Sequence, residues 1–225
     1  MTNAAIESRR VFLIRHGSAN GTDGRCIGHT DVPLSDAGRA QCATLAAAWS
    51  PPAATLVWCS DLARASESAA LLVSAWGARV TAMHVEPRLR ECAFGEWDGR
   101  TWDELASSDG ARLDAWMHDW TSVAPPGGES LPDLSARAVE MLHRIVHSEQ
   151  SSHVVVAHAG VLRAMLCHVT GSPHASAFTW AMPHAHVSAL TLRPAAAVQE
   201  MVQGTVDWLH AFPPPLSERR PERSV

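Results

Sequence analysis

The sequence predicts an α/β fold: a three-layer sandwich with a mainly parallel central sheet, helices on both faces and an inserted lid over the carboxyl edge of the strands. Short apolar runs alternate along the chain with longer amphipathic stretches, which is the order of strands and helices in an α/β protein. The runs at 11–14 and 154–157 are continuously apolar. Such runs are typical of strands that a parallel sheet buries on both faces.

Three further runs complete the predicted sheet. Residues 55–59 form a third apolar run, residues 80–85 a weaker fourth, and residues 186–192 a strand near the end of the core. A chain of 225 residues is long enough to bury a core of this kind in one domain.

Helices are predicted between the strands from their caps and their apolar spacing. Ser35 is a typical N-cap for the first helix. Residues 62–76 keep apolar side chains on one helical face, and Gly77 is a natural C-terminal stop. Ser130 and Asp133 form a capping box that is followed by helical spacing.

We expect three regions along the chain: an N-terminal tail at 1–10, the folded domain at 11–193, and a C-terminal extension at 194–225. The lid is predicted at about 92–129, where the alternation breaks and four of the nine tryptophans lie. The end of the extension is rich in proline and charge, and we expect disorder from residue 213.

The composition excludes several chemistries. All 18 basic residues are arginine and tyrosine is absent, so amine-based covalent catalysis, a Gly-Lys-Ser/Thr phosphate loop and a phenol base are excluded. A net charge of −5 argues against a nucleic-acid partner, although a local arginine cluster can still bind an anion.

Cysteine spacing and hydropathy predict the compartment. The five cysteines show no C-x-x-C pair, which favours reduced thiols in a cytoplasm. We find no signal peptide and no stretch that approaches a membrane span, and so expect a cytoplasmic protein with no membrane partner.

Polar groups follow three of the predicted strands. In an open α/β sheet, ligands bind beyond the carboxyl ends of the strands, and parallel strands place these ends on one edge. The residues that we expect to meet there are Arg15, His16 and Gly17, then Arg64, and then His158, Ala159 and Gly160.

This set has the chemistry of phosphoryl transfer. A neutral imidazole is a nucleophile near pH 7, and guanidinium groups bind phosphate oxygens in pairs. We expect Gly17 and Gly160 to let the backbone approach the anion closely. Glu91, between the fourth strand and the lid, is the best-placed proton donor for a leaving oxygen.

The order of motifs resembles the histidine phosphatase superfamily, which has the phosphoglycerate-mutase-like fold. The resemblance covers about residues 11–192. Its motifs are LIRHG at 13–17, PLS at 33–35 with Gly38, SDLARA at 60–65, LRECAFGEWDG at 89–99 and HAGVLR at 158–163.

The resemblance implies a metal-independent phosphomonoesterase without a cofactor. His16 would become phosphohistidine, and Arg15, Arg64 and His158 would hold the phosphoryl oxygens. Glu91 would protonate the leaving oxygen and then activate water. The expected partner is a small phosphomonoester, and a homodimer is compatible with the sequence.

Within the superfamily, the chain is most similar to the α-ribazole phosphatases of cobalamin biosynthesis. The segment at 92–95 differs from the mutase pattern, which favours hydrolysis. Ser18 stands where the family commonly has glutamate, and Asn20 or Thr22 lies near the place of a family asparagine. We expect Asn20, Thr22 and Gly28 to bind substrate together with Gly17, Ala159 and Gly160.

Alternatives remain at each level. The substrate could be a sugar phosphate or one of many esters, and an inactive relative would bind phospholigands without turnover. Glu91 could pair with Arg88 or Arg90 instead of acting as an acid. His184 and His186 share a strand face, but no completing ligand is nearby in the sequence, so we expect no metal and place His184 at the edge of the phosphate pocket.

Two side-chain roles are also open. We expect the lid tryptophans to be packing residues, with stacking on a substrate base as the alternative. We expect Arg163 to pair along the surface of its helix, with contact to a ligand as the alternative.

Overall fold

The computed structural model describes residues 8–193 and 202–211. Within these residues, six strands form one sheet in the order β3-β2-β4-β1-β5-β6. The first four in this order are mutually parallel, whereas β5 and β6 are antiparallel to their neighbours. The strands are β1 (Arg9–Arg15), β2 (Thr55–Cys59), β3 (Val80–Val85), β4 (Ser152–Ala157), β5 (Val187–Arg193) and β6 (Gln203–Ala211).

Five α-helices connect these strands in the described part of the chain. They are α1 (Asp36–Ala48), α2 (Ala63–Trp76), α3 (Trp102–His118), α4 (Leu131–Val146) and α5 (Ala159–Thr170). The predicted caps are confirmed: Ser35 accepts from the N–H of Gly38, and Ser130 forms its capping box with Asp133. Gly77 ends α2 with φ of 55°.

Successive side chains of the central strands point to opposite faces of the sheet, and each face packs against its own set of helices. Val11 and Leu13 of β1 point into one core with the apolar residues of α4 and α5, whereas Phe12 and Ile14 point into a second core with α1 and α2. Burial of each such side chain contributes roughly 1.5–3 kcal/mol. Helices therefore cover both faces, and the predicted three-layer α/β sandwich is confirmed.

The lid forms a small separate core together with Cys26, which lies outside the lid. Cys26, Trp97, Leu105 and Leu113 are buried together. Trp97 lies in a 3₁₀ turn at Gly95–Trp97, and the other lid contributions come from α3, whose helical path is interrupted at Asp109.

The sixth strand lies in the segment that we expected to extend beyond the domain. β6 pairs with β5 over residues 203–211, and β1 begins at Arg9 inside the expected N-terminal tail. The expected disorder from residue 213 concerns residues outside those described. Across the described ranges, no helix combines the length and apolar character needed to cross a membrane.

Candidate active site

The sheet order brings the three predicted strand ends together. β4 lies between β1 and β2, and all three are parallel. The N–H of His16 donates to the Ala157 carbonyl at 3.0 Å, and the N–H of Ser60 donates to Val156 at 3.1 Å. Residues that follow these strands therefore share one edge of the sheet, as the sequence predicts.

His16 is buried and its ring is fixed. Its Nδ1 lies 2.7 Å from the Gly17 carbonyl, which can only accept, so Nδ1 carries the proton and Nε2 keeps its lone pair. Burial lowers the pKa of His16 well below its ordinary value, and the charges of Arg15 and Arg64 lower it further. A neutral imidazole with a free Nε2 lone pair is the form that can attack phosphorus.

Two neighbours of His16 present polar atoms without protein partners. His158 is fully buried, its ring centroid lies 4.9 Å from that of His16, and neither ring nitrogen has a hydrogen-bond partner among the described residues. The buried Nε of Arg15 also has none there, whereas its Nη1 donates to the Met182 carbonyl at 2.7 Å. Unpaired buried polar atoms each cost about 1–3 kcal/mol, which indicates that they serve a ligand.

Arg64 is held by two backbone carbonyl groups. It lies in the first turn of α2 and is 2% exposed. Its Nη1 donates to the Thr30 carbonyl at 2.9 Å and its Nη2 to the Gly28 carbonyl at 2.7 Å. Burial lowers the pKa of Arg64, but an arginine stays charged at neutral pH. Gly28 therefore orients an arginine through its backbone.

Glu91 faces the start of α5. Its Oε1 and Oε2 lie 3.0 and 3.1 Å from the N–H of Gly160, and Oε1 also accepts from the N–H of Cys92. The alternative pairing is not what the structure shows, because Arg88 bonds to Glu86 and Glu140 and Arg90 bonds to Asp61. The Glu91 carboxylate is thus available to the site.

The predicted glycines act mainly through protein contacts. The N–H of Gly17 donates to Ser68 Oγ at 3.0 Å, and that of Gly160 is directed to Glu91. Both N–H groups are therefore already hydrogen-bonded within the protein. A Cβ on Gly17 would lie 2.5 Å from the Gly38 carbonyl oxygen, so close backbone packing is what requires glycine there. Ala159 is the first residue of α5, directly after His158.

Asn20 and Thr22 are tied to their own loop. The exposed Asn20 donates through Nδ2 to the Leu34 carbonyl at 3.2 Å, and Thr22 Oγ1 donates to the Ala19 carbonyl at 3.4 Å. The structure does not bring these two side chains to the cavity described next.

A cavity of about 250 Å³ extends from Glu91 and Gly160 beneath the lid. Its wall contains charged groups at Arg25 and Arg163, with Glu129 on the same surface. Five further lining side chains are aromatic: Phe94, Trp102, Trp116, Trp120 and Phe178. Trp97 is fully buried and donates to Asp109, so the lid tryptophans divide into one packing residue and three that line the cavity.

Arg163 does not pair along its helix. Its Nε donates to the Trp180 carbonyl at 3.0 Å, and its guanidinium lies 4.9 Å from the ring centroid of Phe178. The expected helix-surface pairing is therefore wrong, because the side chain turns toward the cavity.

His184 lies beside His16. Its Nδ1 is 2.9 Å from the His16 carbonyl, and the two rings are 5.2 Å apart. In the described part of the chain, no group of three or more histidine, cysteine, aspartate or glutamate side chains is arranged to hold a metal ion.

Several supporting residues have no distinctive sequence signal. Ser68 anchors Gly17 across 51 positions of the chain, and His29 Nε2 donates to the Glu91 carbonyl at 2.9 Å. Arg137 pairs with Glu129 and donates to the same Glu91 carbonyl, also at 2.9 Å. These residues come from distant segments of the chain, and only tertiary packing brings them to Gly17 and Glu91.

Comparison with known proteins agrees with this geometry. The family model of the histidine phosphatase superfamily (branch 1) matches residues 11–203. An adenosylcobalamin/alpha-ribazole phosphatase of Escherichia coli (strain K12) is 32% identical over 73% of this chain and 80% of the relative. A glucosyl-3-phosphoglycerate phosphatase of Mycolicibacterium vanbaalenii is 35% identical over 73% of this chain and 76% of the relative.

A solved structure extends the likeness to the fold. The alpha-ribazole phosphatase of Shigella flexneri superposes with a TM-score of 0.77 at 28% identity. The superposition covers 90% of this chain and 96% of the other. The matching family model, the named relatives and the shared fold together show that this chain belongs to the histidine phosphatase superfamily and is a phosphatase.

Proposed function

We propose that the protein hydrolyses phosphomonoesters through a phosphohistidine at His16. The Nε2 lone pair of His16 attacks phosphorus, the bond from phosphorus to the ester oxygen breaks, and the protonated carboxyl of Glu91 gives its proton to the leaving oxygen. Glu91 then takes a proton from water as the water oxygen attacks phosphorus. The bond between Nε2 and phosphorus breaks, and inorganic phosphate leaves.

The residues around His16 supply the positive charge that this reaction needs. Arg15 and Arg64 flank the histidine, and their fixed guanidinium groups can bind the equatorial oxygens as charge develops. The two unpartnered nitrogens of His158 add hydrogen-bonding capacity in a buried site. All five proposed catalytic residues are present in the chain, which favours an active enzyme over an inactive relative that only binds phospholigands. These residues are Arg15, His16, Arg64, Glu91 and His158.

We propose α-ribazole 5′-phosphate as the preferred substrate. The observation that carries this is the aromatic wall of the cavity next to Glu91, because a leaving group that ends in a flat apolar base fits Phe94, Trp102 and Trp116. Trp102 and Trp116 are nearly parallel at 16° with centroids 6.3 Å apart. The likeness to the alpha-ribazole phosphatases supports the same choice.

Glucosyl-3-phosphoglycerate is the second candidate. Arg163 lines the cavity close enough to Glu91 to be influenced by its charge, so a substrate carboxylate could bind there. The likeness to the mycobacterial phosphatase supports this reading.

The test is phosphate release from both esters, from other nucleoside and sugar phosphates and from 3-phosphoglycerate, with EDTA present. A kcat/KM for α-ribazole 5′-phosphate at least ~100-fold above the rest, about 2.7 kcal/mol of transition-state preference, is expected. A preference for glucosyl-3-phosphoglycerate, or a flat profile that still depends on His16, would refute the substrate assignment and keep the mechanism.

A matched pair of lid variants locates the specificity. Trp116→Leu removes an aromatic wall of the cavity, whereas Met117→Ala changes its exposed neighbour. Trp116→Leu should lower kcat/KM for α-ribazole 5′-phosphate about 10-fold or more and leave p-nitrophenyl phosphate nearly unchanged. Met117→Ala should alter neither value.

We also propose a cytoplasmic location. All five cysteines are free thiols and four of them are buried, as expected for a chain that folds in a reducing compartment. Fractionation of the native host cells with an antibody to the protein would test this.

A further inference from the structure

We propose that Asp98, a lid residue, is a positioning residue for Arg64; this inference rests on the phosphate-binding role proposed for Arg64. The connection runs through the loop at 28–30. The backbone N–H groups of this loop bond to Asp98, and two of its carbonyl groups bond to Arg64. A carboxylate on the lid thereby sets the orientation of a guanidinium in the phosphate site.

Asp98 collects four hydrogen bonds from this loop. Its Oδ1 accepts from the N–H of Gly28 at 3.1 Å, the N–H of Thr30 at 3.2 Å and the Thr30 hydroxyl at 2.6 Å, while Oδ2 accepts from the N–H of His29 at 2.6 Å. Burial acts to raise the pKa of Asp98, but these bonds outweigh it and the pKa lies below its ordinary value. The group that the loop requires is therefore an ionised carboxylate.

Arg64 donates hydrogen bonds to carbonyl groups of the same loop. The carbonyls of Gly28 and Thr30 are two residues apart and accept from different terminal nitrogens of the guanidinium. Two such contacts fix the plane of a guanidinium, because its donors are held in a rigid fork. The N–H groups that remain for phosphate are consequently fixed in direction before substrate binds.

Close packing leaves this loop little freedom. A Cβ on Gly28 would lie 2.2 Å from the Cys92 carbonyl oxygen and 3.0 Å from Asp98 Oδ2, so the loop backbone rests directly on the lid. At the next position, Asp31 Oδ1 accepts from the N–H of Ala63 at 2.6 Å, at the start of the helix that carries Arg64. A substitution at Asp98 should therefore shift the loop backbone, and with it the carbonyl groups that bond to Arg64.

The direct test is Asp98→Asn, which keeps the shape of the side chain. An amide has one acceptor oxygen, so in either orientation its NH₂ group faces at least one backbone N–H of the loop. We expect the Kd for orthovanadate, used as the probe of the phosphoryl site, to rise about 10- to 100-fold, and kcat/KM for p-nitrophenyl phosphate to fall similarly. Asp114→Asn, an exposed change on the same lid, should leave both values unchanged.

A milder variant covers the case in which Asp98→Asn does not fold. Thr30→Val removes one of the four bonds, that from the hydroxyl, and retains the carboxylate. It should shift both values in the same direction by a smaller factor. A Thr30→Val enzyme with the vanadate Kd and kcat/KM of the unmodified protein would contradict the proposal.

A double-mutant cycle separates positioning from a general structural effect. If Asp98 acts through Arg64, then Asp98→Asn should weaken vanadate binding by less than about twofold once Arg64 is alanine. Losses that multiply, or an Asp98→Asn enzyme with unchanged vanadate affinity, would overturn the inference. If Arg64→Ala alone leaves vanadate affinity unchanged, the error lies instead in the phosphate-binding role assigned to Arg64.

Discussion

The backbone N–H of Gly160 donates to Glu91 Oε1 at 3.0 Å. This bond links the proposed acid to the first turn of α5, which begins directly after His158. The contact also explains the glycine. A Cβ at this position would lie 2.2 Å from Glu91 Oε1. The helix that begins directly after His158 therefore has no space for a side chain where it meets Glu91.

Gly160→Ala should accordingly displace Glu91 while leaving the fold intact. Alanine favours a helix over glycine by roughly 1 kcal/mol, so Tm should not fall by much. A displacement of about 1 Å at the acid is expected to lower kcat/KM for an alkyl phosphate about 100-fold. Gly110→Ala, in α3 with open space around the new methyl group, is the control and should keep full activity. Full activity of Gly160→Ala would show that the contact is dispensable.

Glu91→Gln tests the acid role by leaving group. A nitrophenolate leaves without protonation, whereas an alkoxide requires it. We expect kcat/KM for the alkyl ester to fall ~10²- to 10⁴-fold, and the rate of nitrophenol release in the first turnover to change little. Equal losses for both esters in single-turnover measurements would remove Glu91 from the acid role.

The pH profile should report a nucleophile that stays neutral in mild acid. Burial, followed by the charges of Arg15 and Arg64, places the pKa of His16 well below its ordinary value. The protonated ring cannot attack, so activity falls only when the pH drops below this lowered pKa. The acid limb of kcat/KM for p-nitrophenyl phosphate, corrected for ionisation of the ester, should lie below pH 6.5. A limb at or above that pH would contradict the environment described for His16.

His153, a buried histidine outside the proposed active site, should make the stability of the fold sensitive to acid. Burial lowers the pKa of His153 to about 4, and its Nδ1 accepts from Trp58 Nε1. Because the folded pKa is below the unfolded one, the unfolded chain binds the proton first as the pH falls. The free energy of unfolding should decrease between about pH 6.5 and pH 4, with up to about 3 kcal/mol from this residue.

Urea denaturation at pH 7 and pH 4.5 measures that contribution. His153→Gln keeps a side-chain carbonyl for Trp58 but does not titrate, so it should lose less stability between the two pH values than the unmodified protein does. An equal loss in both proteins would assign the acid sensitivity to other groups.

The core strands and the nucleophile were predictable because their signals are local. β1 and β4 are continuous apolar runs, and parallel pairing alone places His16 and His158 on one edge. β6 was harder to predict, because its exposed positions alternate with half-buried ones along an edge strand and polar residues such as Thr205 and Asp207 weaken the apolar signal.

The supporting contacts were not predictable, since they join distant segments through single hydrogen bonds. Asp98 bonds to Gly28 across 70 positions, and Glu91 reaches Gly160 across 69. In the sequence, Gly17 and Gly160 indicate only a need for space, which a phosphate or a neighbouring backbone would satisfy equally. Three-dimensional packing distinguishes these cases: Gly17 faces Gly38, and Gly160 faces Glu91.

The most direct measurement of the central claim is to trap the phosphoryl group on the protein. Glu91→Gln with p-nitrophenyl phosphate should pass the first step, which needs no acid, and stall at the second, which needs a base. After a base quench and cleavage at arginine, mass spectrometry of the peptide at 16–25 should show one phosphoryl group on His16. A burst of nitrophenol with the phosphoryl group on another residue, or with none on the protein, would contradict the account.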